Sequence, residues 1–223
     1  GALNVLQAAR ECGVDRVVHT STSEVYGSAR TIPIAETHPL RGQSPYAATK
    51  IGADKLAEAF HLSYGVPVVT VRPFNTFGPR QSGRAIIPTI ISQCLTDTVV
   101  RLGNTSPTRD MNYVSDIIEG FLRAAIVDAA VGRTINLGSG CETSVHTLVE
   151  LIVERTGTAV SVEREATRVR PEESEVERLV ADATLARELL DWQPSVSLEA
   201  GLDLTVAWIR EHLDEYRADA YAI

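Results

Sequence analysis

The sequence predicts an α/β protein built on a doubly wound, mainly parallel sheet. Short apolar runs rich in β-branched residues alternate with helical stretches of about ten residues or more, the pattern of strands joined by helical crossovers. In such sheets ligands collect at the carboxyl ends of the strands. The polar stretches Thr20–Glu24, Pro73–Asn75 and Asn136–Gly138 all fall at such ends.

Residues 3–12 read as an amphipathic helix stopped by Gly13. Arg16–Ser21 is a buried strand, and the proline-bearing stretch 28–45 is a surface loop. A long helix covers 45–64 and stops at Gly65, and the strand 67–73 is cut off by its terminal proline. A helix follows over 86–96, then a strand at Val99–Leu102, a helix over 114–127 and a strand at 133–137 closed by Gly138-Ser-Gly140. Helices over 143–156, 185–190 and 198–216 and a short strand at 160–163 complete the chain.

At 223 residues the chain can bury a sizeable core, and a hydrophobic fraction of 44% fits a soluble globular protein. A formal net charge of −8 argues against nucleic-acid or anionic-membrane surfaces, so an anionic ligand would need locally placed arginines. No apolar run reaches the ~20 residues of a membrane span, and no signal-peptide pattern is present. Cys12, Cys94 and Cys141 are widely spaced, which suggests reduced thiols and a cytoplasmic setting. The histidines show no metal-ligand spacing, so no metal site is expected.

The chemistry-bearing residues form a few groups. Tyr46 and Lys50 lie one helical turn apart and share a face, so hydroxyl and ammonium would point at one spot. Thr22-Ser23-Glu24 sets two hydroxyls and a carboxylate where a strand opens into a loop, suited to proton transfer or to capping backbone groups. In Arg72-Pro-Phe-Asn-Thr-Phe-Gly-Pro79, Asn75 could donate to a ligand or satisfy its own turn. Arg109 and Arg170 carry planar guanidiniums suited to a diphosphate, though arginines are commonly exposed for solubility alone. His19 reads as a packed strand residue, Glu172, Glu173, Glu175 and Glu177 as a solvated face, and Trp192 and Trp208 as packing anchors.

Together these residues resemble the extended short-chain dehydrogenase/reductases, specifically the NAD-dependent nucleotide-sugar epimerases and dehydratases. The resemblance rests on Asn4-Val5-Leu6-x-Ala8-Ala9, Ser21-Thr22-Ser23-Glu24-Val25-Tyr26-Gly27, Ser44-Pro45-Tyr46-x-x-x-Lys50, Arg72-Pro73-Phe74-Asn75-x-x-Gly78-Pro79, Arg109-Asp110-x-x-Tyr113-Val114-x-Asp116, Asn136-Leu137-Gly138 and Arg170-Pro171. The Thr22-Ser23-Glu24 triplet is most similar to the 4,6-dehydratases, and the flanking stretches to UDP-N-acetylglucosamine 4,6-dehydratases of the legionaminic-acid type.

The resemblance implies a Rossmann-like fold, NAD as cofactor and a mechanism. Tyr46, held as phenolate by Lys50, takes the C4 hydroxyl proton while hydride leaves C4 for NAD+. Thr22 bonds that oxygen, Glu24 abstracts the C5 proton, and water leaves C6 helped by a donor at or near Ser23. Hydride then returns to C6, giving a 4-keto-6-deoxy sugar nucleotide. Asn75, Asn136, Arg109 and Arg170 match positions that contact the nucleotide diphosphate region, while Thr20 and Pro73 join Tyr46 and Lys50 on the cofactor side.

By the same resemblance, residues 1–80 and 110–138 form the remainder of the NAD-binding domain, and 81–109 with 139–223 form a smaller nucleotide-sugar-binding part. Ser23 replaces an aspartate acid, and no Gly-x-x-Gly-x-x-Gly loop occurs. The chain is therefore expected to be the carboxyl-terminal two-thirds of a dehydratase, truncated at its amino end and a weak NAD binder by itself. A homodimer through helices 1–12 and 45–64 is expected. The rival readings are a 4-epimerase, which would not need Glu24, and a catalytically silent sugar-nucleotide-binding fragment.

Overall fold

The structure, a computed structural model, describes residues 1–168 and 171–216. Helix α1 (Ala2–Cys12) closes on Gly13, whose left-handed φ of 62° lets its N–H return to the carbonyls of Ala9 and Arg10. Strand β1 (Val17–Thr20) then enters a single 3-10 turn at Ser23–Tyr26. Helix α2 (Pro45–Tyr64) starts with Ser44 accepting from the Ala47 N–H and with Pro45 in its first turn. After it come β2 (Val68–Pro73), β3 (Asn75–Phe77), α3 (Ile86–Thr96), β4 (Val99–Leu102), β5 (Thr108–Arg109) and β6 (Met111–Tyr113). The chain continues through α4 (Val114–Ile126), β7 (Thr134–Leu137), β8 (Thr143–Ser144), α5 (Val145–Thr156) and β9 (Ser161–Arg164). It ends with β10 (Arg178–Leu179), α6 (Thr184–Leu190) and α7 (Leu198–Glu211).

The main sheet has the order β1-β2-β7, all parallel, with Val71 opposite both Thr20 and Ile135. Successive side chains of a strand point to opposite faces. Val69 and Val71 accordingly pack with Ile135, Leu137, α4, α6 and the Trp192 ring. Val68 faces the other way, joining Leu6, Ala57 and Phe60 beneath α1 and α2. Cover on both faces explains why β2 is buried from Val68 to Arg72, as expected of an inner parallel strand. β1 is less buried because it pairs only with β2 among the described residues.

A second core lies beyond the sheet, where α3, α5 and α7 enclose Ile90, Ile91, Leu148, Ile152, Leu202 and Ile209. Three small pairings frame it: β3 with β6, β4 with β9, and β5 between β8 and β10. The stretch 139–223, read from the sequence as part of one substrate-binding unit, divides between the two cores. α6 and Trp192 pack on β7 and α4, with the indole N–H on the Asp116 carbonyl at 2.8 Å, while α5 and α7 belong to the second core. The expected helix 198–216 ends at Glu211 and is followed by a 3-10 turn at Leu213–Glu215.

Glu142, next to β8, receives Arg178 of β10 through two bonds of 2.6 Å and also the Thr108 hydroxyl of β5. The Arg178 and Thr108 hydrogen bonds hold its carboxyl down to about 2, against a small burial penalty. A carboxyl depressed in the folded state adds stability above its unfolded value and loses it as pH falls through its folded value. Acid titration from pH ~5 to ~2 should therefore weaken the wild type more than Glu142→Gln, by about 1 kcal/mol or less for so exposed a pair. Denaturant midpoints of both proteins across that range check it.

Candidate active site

The end of β1 and the start of α2 meet at one place. Lys50 donates from Nζ to the Thr20 carbonyl at 3.1 Å and stands 5.9 Å from the Tyr46 ring centroid. The Tyr46 side chain is half exposed (53%), and its hydroxyl has no hydrogen-bond partner among the described residues. Thr20 is exposed and Pro73, ending the neighbouring strand, is half-buried. The sequence expectation of a shared Tyr46–Lys50 face is met because α2 is continuous through both residues.

Thr22 is the cap of the 3-10 turn, its Oγ1 accepting the Glu24 N–H at 3.3 Å. Ser23 is buried, while Glu24 turns its half-buried side chain to the wall of a cleft of about 350 Å3. Asn75, Gln81, Arg84, Arg109 and Arg168 line the same cleft, and Ile87, Leu102 and Val145 give it an apolar side. The carbonyl oxygens of Asn75 and Gln81 are buried without a partner. Gln81 is oriented by its own amide, which donates to the Thr76 carbonyl at 2.7 Å. Two unanswered acceptors on one wall call for donors from a ligand.

Arg109 is held in β5 by its neighbour. The fully buried Asp110 accepts from the backbone N–H groups of Ser139, Gly140 and Ala181, which anchors β5 between the Gly138–Gly140 loop and the β10 end. The Arg109 guanidinium donates to the Thr108 carbonyl and lies 3.9 Å from Glu175. Glu175, read from the sequence as solvated, instead lines the cleft.

Of the residues the sequence singled out, the structure brings Glu24, Asn75 and Arg109 to one cleft, while Tyr46 and Lys50 sit at the β1 end and do not line it. Asn136 is not among them. It is fully buried, accepts from the Tyr26 hydroxyl at 2.7 Å and donates to the Ile34 carbonyl at 2.9 Å, so its amide is consumed inside the protein. Arg170 lies outside the described residues. Gln81, Arg84 and Arg168 were missed by sequence reading. The first two follow the Gly78-Pro79 turn and precede α3, a position that could have marked them. A larger cavity of about 540 Å3 opens on the α2 side of β2 and β7 and contains none of these residues.

Three elements thus converge: a Tyr–Lys pair, a carboxylate at a strand end and a guanidinium-lined cleft on a doubly wound sheet. These define a parallel-sheet α/β scaffold with a candidate active site at the carboxyl ends of its strands. A family model described as GDP-mannose 4,6 dehydratase matches residues 1–205, and the chain belongs to that family. It is 35% identical over 215 residues to a UDP-glucose 4-epimerase of Mycolicibacterium smegmatis, covering 94% of this chain and 67% of that protein. It is equally 35% identical over 211 residues to a dTDP-glucose 4,6-dehydratase of Actinoplanes sp., covering 94% of this chain and 65% of the relative. Among solved structures, an epimerase from Methanothermobacter thermautotrophicus superposes with a TM-score of 0.90 at 33% identity, over 98% of this chain and 66% of that one. A Bacillus anthracis dTDP-glucose 4,6-dehydratase in complex with NAD gives 0.88 at 27% identity, over 96% and 67%. The chain therefore spans about two thirds of the length of the proteins it matches. Among the described residues no helix is long and apolar enough to cross a membrane, and no group of His, Cys, Asp and Glu is placed to hold a metal.

Proposed function

We propose that this chain supplies the catalytic and sugar-binding machinery of an NAD-dependent nucleotide-sugar 4,6-dehydratase. The observation that carries the reading is Glu24, a carboxylate on the wall of a cleft that also presents Arg84, Arg109 and Arg168. The guanidiniums suit a diphosphate, with Ile87, Leu102 and Val145 against the base. That leaves the acceptor wall of Glu24, Asn75 and Gln81 to the hydroxyls of the sugar. An unpartnered Tyr46 hydroxyl beside Lys50, at the carboxyl ends of β1 and β2, fits the nicotinamide end of NAD. The sequence holds no glycine-rich loop for the pyrophosphate end. When bound, NAD supplies the hydride acceptor and donor.

Tyr46 takes the proton of the C4 hydroxyl as that carbon is oxidised, and Lys50 stabilises the charge on the phenolic oxygen. The resulting 4-ketone acidifies C5–H, and Glu24 removes that proton. The C6–O bond then breaks. Because Ser23 is buried, Glu24 returns the proton to the departing oxygen, which leaves as water. Reduction at C6 and protonation of C5 from solvent give the 4-keto-6-deoxy sugar, with UDP-sugars the favoured substrates. A 4-epimerase is the second reading, favoured by the 35% identity to the mycobacterial epimerase. Exposed Leu3 and Val5 on α1 and Leu62 and Tyr64 on α2 supply an apolar face for a homodimer.

Product mass decides between the reactions. After incubation of the chain, joined to a glycine-rich NAD-binding segment, with NAD+ and a panel of UDP-, dTDP- and GDP-sugars, loss of one water from one substrate is the expected result. In deuterated water that product should carry one deuterium at C5. An isobaric product would establish epimerisation instead.

A further inference from the structure

We propose that Asp54, Arg72 and Tyr26 form a positioning network that ties the Tyr46–Lys50 pair to the turn bearing Glu24, so that oxidation and elimination share one geometric reference. The inference rests on the dehydratase reading above.

Tyr46, Lys50 and Asp54 recur at i, i+4 and i+8 on α2, and this face passes from exposed at Tyr46 to buried at Asp54. Asp54 clamps the face to the sheet. Its carboxylate accepts the Ser21 hydroxyl at 2.9 Å, lies 3.0 Å from His19 Nε2, and accepts both Nε and Nη2 of Arg72 at 3.1 and 2.9 Å. Burial opposes its charge, yet the His19, Ser21 and Arg72 interactions outweigh burial and hold its carboxyl below the usual range. His19 and Ser21 flank Thr20, whose carbonyl holds Lys50. The same carboxylate thus sets the register of the catalytic helix on β1.

Arg72 extends the clamp toward Glu24. Its remaining nitrogen, Nη1, donates to the Tyr26 hydroxyl at 2.9 Å, and that hydroxyl donates onward to Asn136 at 2.7 Å. Burial raises the Tyr26 phenol above its ordinary value against the pull of Arg72, which keeps it a donor. Tyr26 closes the 3-10 turn that begins at Ser23, two residues after Glu24, and its ring is fixed edge-on to His38 and tilted on Phe74. The planar guanidinium is suited to this bridge because its fork serves carboxylate and phenol at once. A lysine could not serve both.

Tyr26→Phe tests this, since it keeps the ring contacts and the Asp54–Arg72 pair while removing the one hydroxyl. Hydrogen exchange, read without cofactor or sugar, should show faster exchange of the Val25 and Gly27 amides with α2 unchanged. With substrate and NAD+, kcat for water loss should fall about 10- to 100-fold, the cost of a small misplacement of a catalytic group. KM should stay within about twofold, and reduced cofactor should accumulate because Tyr46 and Lys50 still act. Arg72→Lys, which also loses part of the Asp54 clamp, should slow water loss likewise but quicken exchange in α2 as well, and the double variant should be no worse than Arg72→Lys alone, as expected of one connected unit. Unchanged exchange in Tyr26→Phe overturns the network. Faster exchange with oxidation and elimination slowed equally overturns the coupling alone. A wild-type protein that releases no water overturns the reading beneath it and the coupling with it, while the exchange result still judges the network.

Discussion

Tyr46→Phe should abolish turnover, lowering kcat by about 10²–10⁴-fold, the range for removing a positioned general base. The substitution deletes one oxygen from a half-exposed side chain with no internal hydrogen bond, so nothing buried is left unsatisfied. Stability should stay within about 0.5 kcal/mol of wild type, as for ordinary surface changes. Nucleotide-sugar binding should also survive, because the guanidiniums of Arg84, Arg109 and Arg168 are untouched. Calorimetric titration with the sugar nucleotide, set beside steady-state rates, checks both halves. A variant that still turns over at more than a tenth of the wild-type rate would remove Tyr46 from the chemistry.

Glu24→Gln carries the second large effect and separates the two enzymatic readings. Glutamine keeps the size and cleft position of the side chain but cannot take a proton from C5. A dehydratase should lose water release by about 10²–10⁴-fold while Tyr46 still oxidises C4, so reduced cofactor builds up. An epimerase, which needs no base at C5, should keep most of its rate. The fold should tolerate the change, since the local turn is capped by the Thr22 hydroxyl on the residue-24 backbone N–H and not by the carboxylate. Single-turnover absorbance of reduced nicotinamide with product mass spectrometry distinguishes the outcomes.

The elements that sequence reading located share a property: each is specified by its own residues. The apolar run 68–72, the Ser44-Pro45 start of α2 and the left-handed glycines at 13, 65 and 157 are local signals, and the structure places helix and strand ends within a few residues of them. The strands not foreseen, β3, β5, β6, β8 and β10, are only two or three residues long. They exist through pairing with segments far along the chain, such as β10 with β5, and their own residues carry no periodicity to read.

The site divides along the same line. Tyr46 and Lys50 were legible because a helix sets their spacing, and Glu24 because it follows a strand whose end is apparent in the sequence. Asn136 was misassigned because, although it does sit at a strand end, tertiary packing sets the Tyr26 hydroxyl and the Ile34 carbonyl against its amide. Glu175 was misassigned in the opposite sense, a residue in an acidic stretch that the fold turns into the cleft beside Arg109.

By itself the sequence determined the α/β alternation, the helix caps and the helical face that presents Tyr46 and Lys50, since each depends on short-range backbone geometry. Only the tertiary structure decided which polar groups face a ligand and which bond one another. That choice depends on which segments meet, and a buried amide or guanidinium takes whatever partner the fold brings within reach.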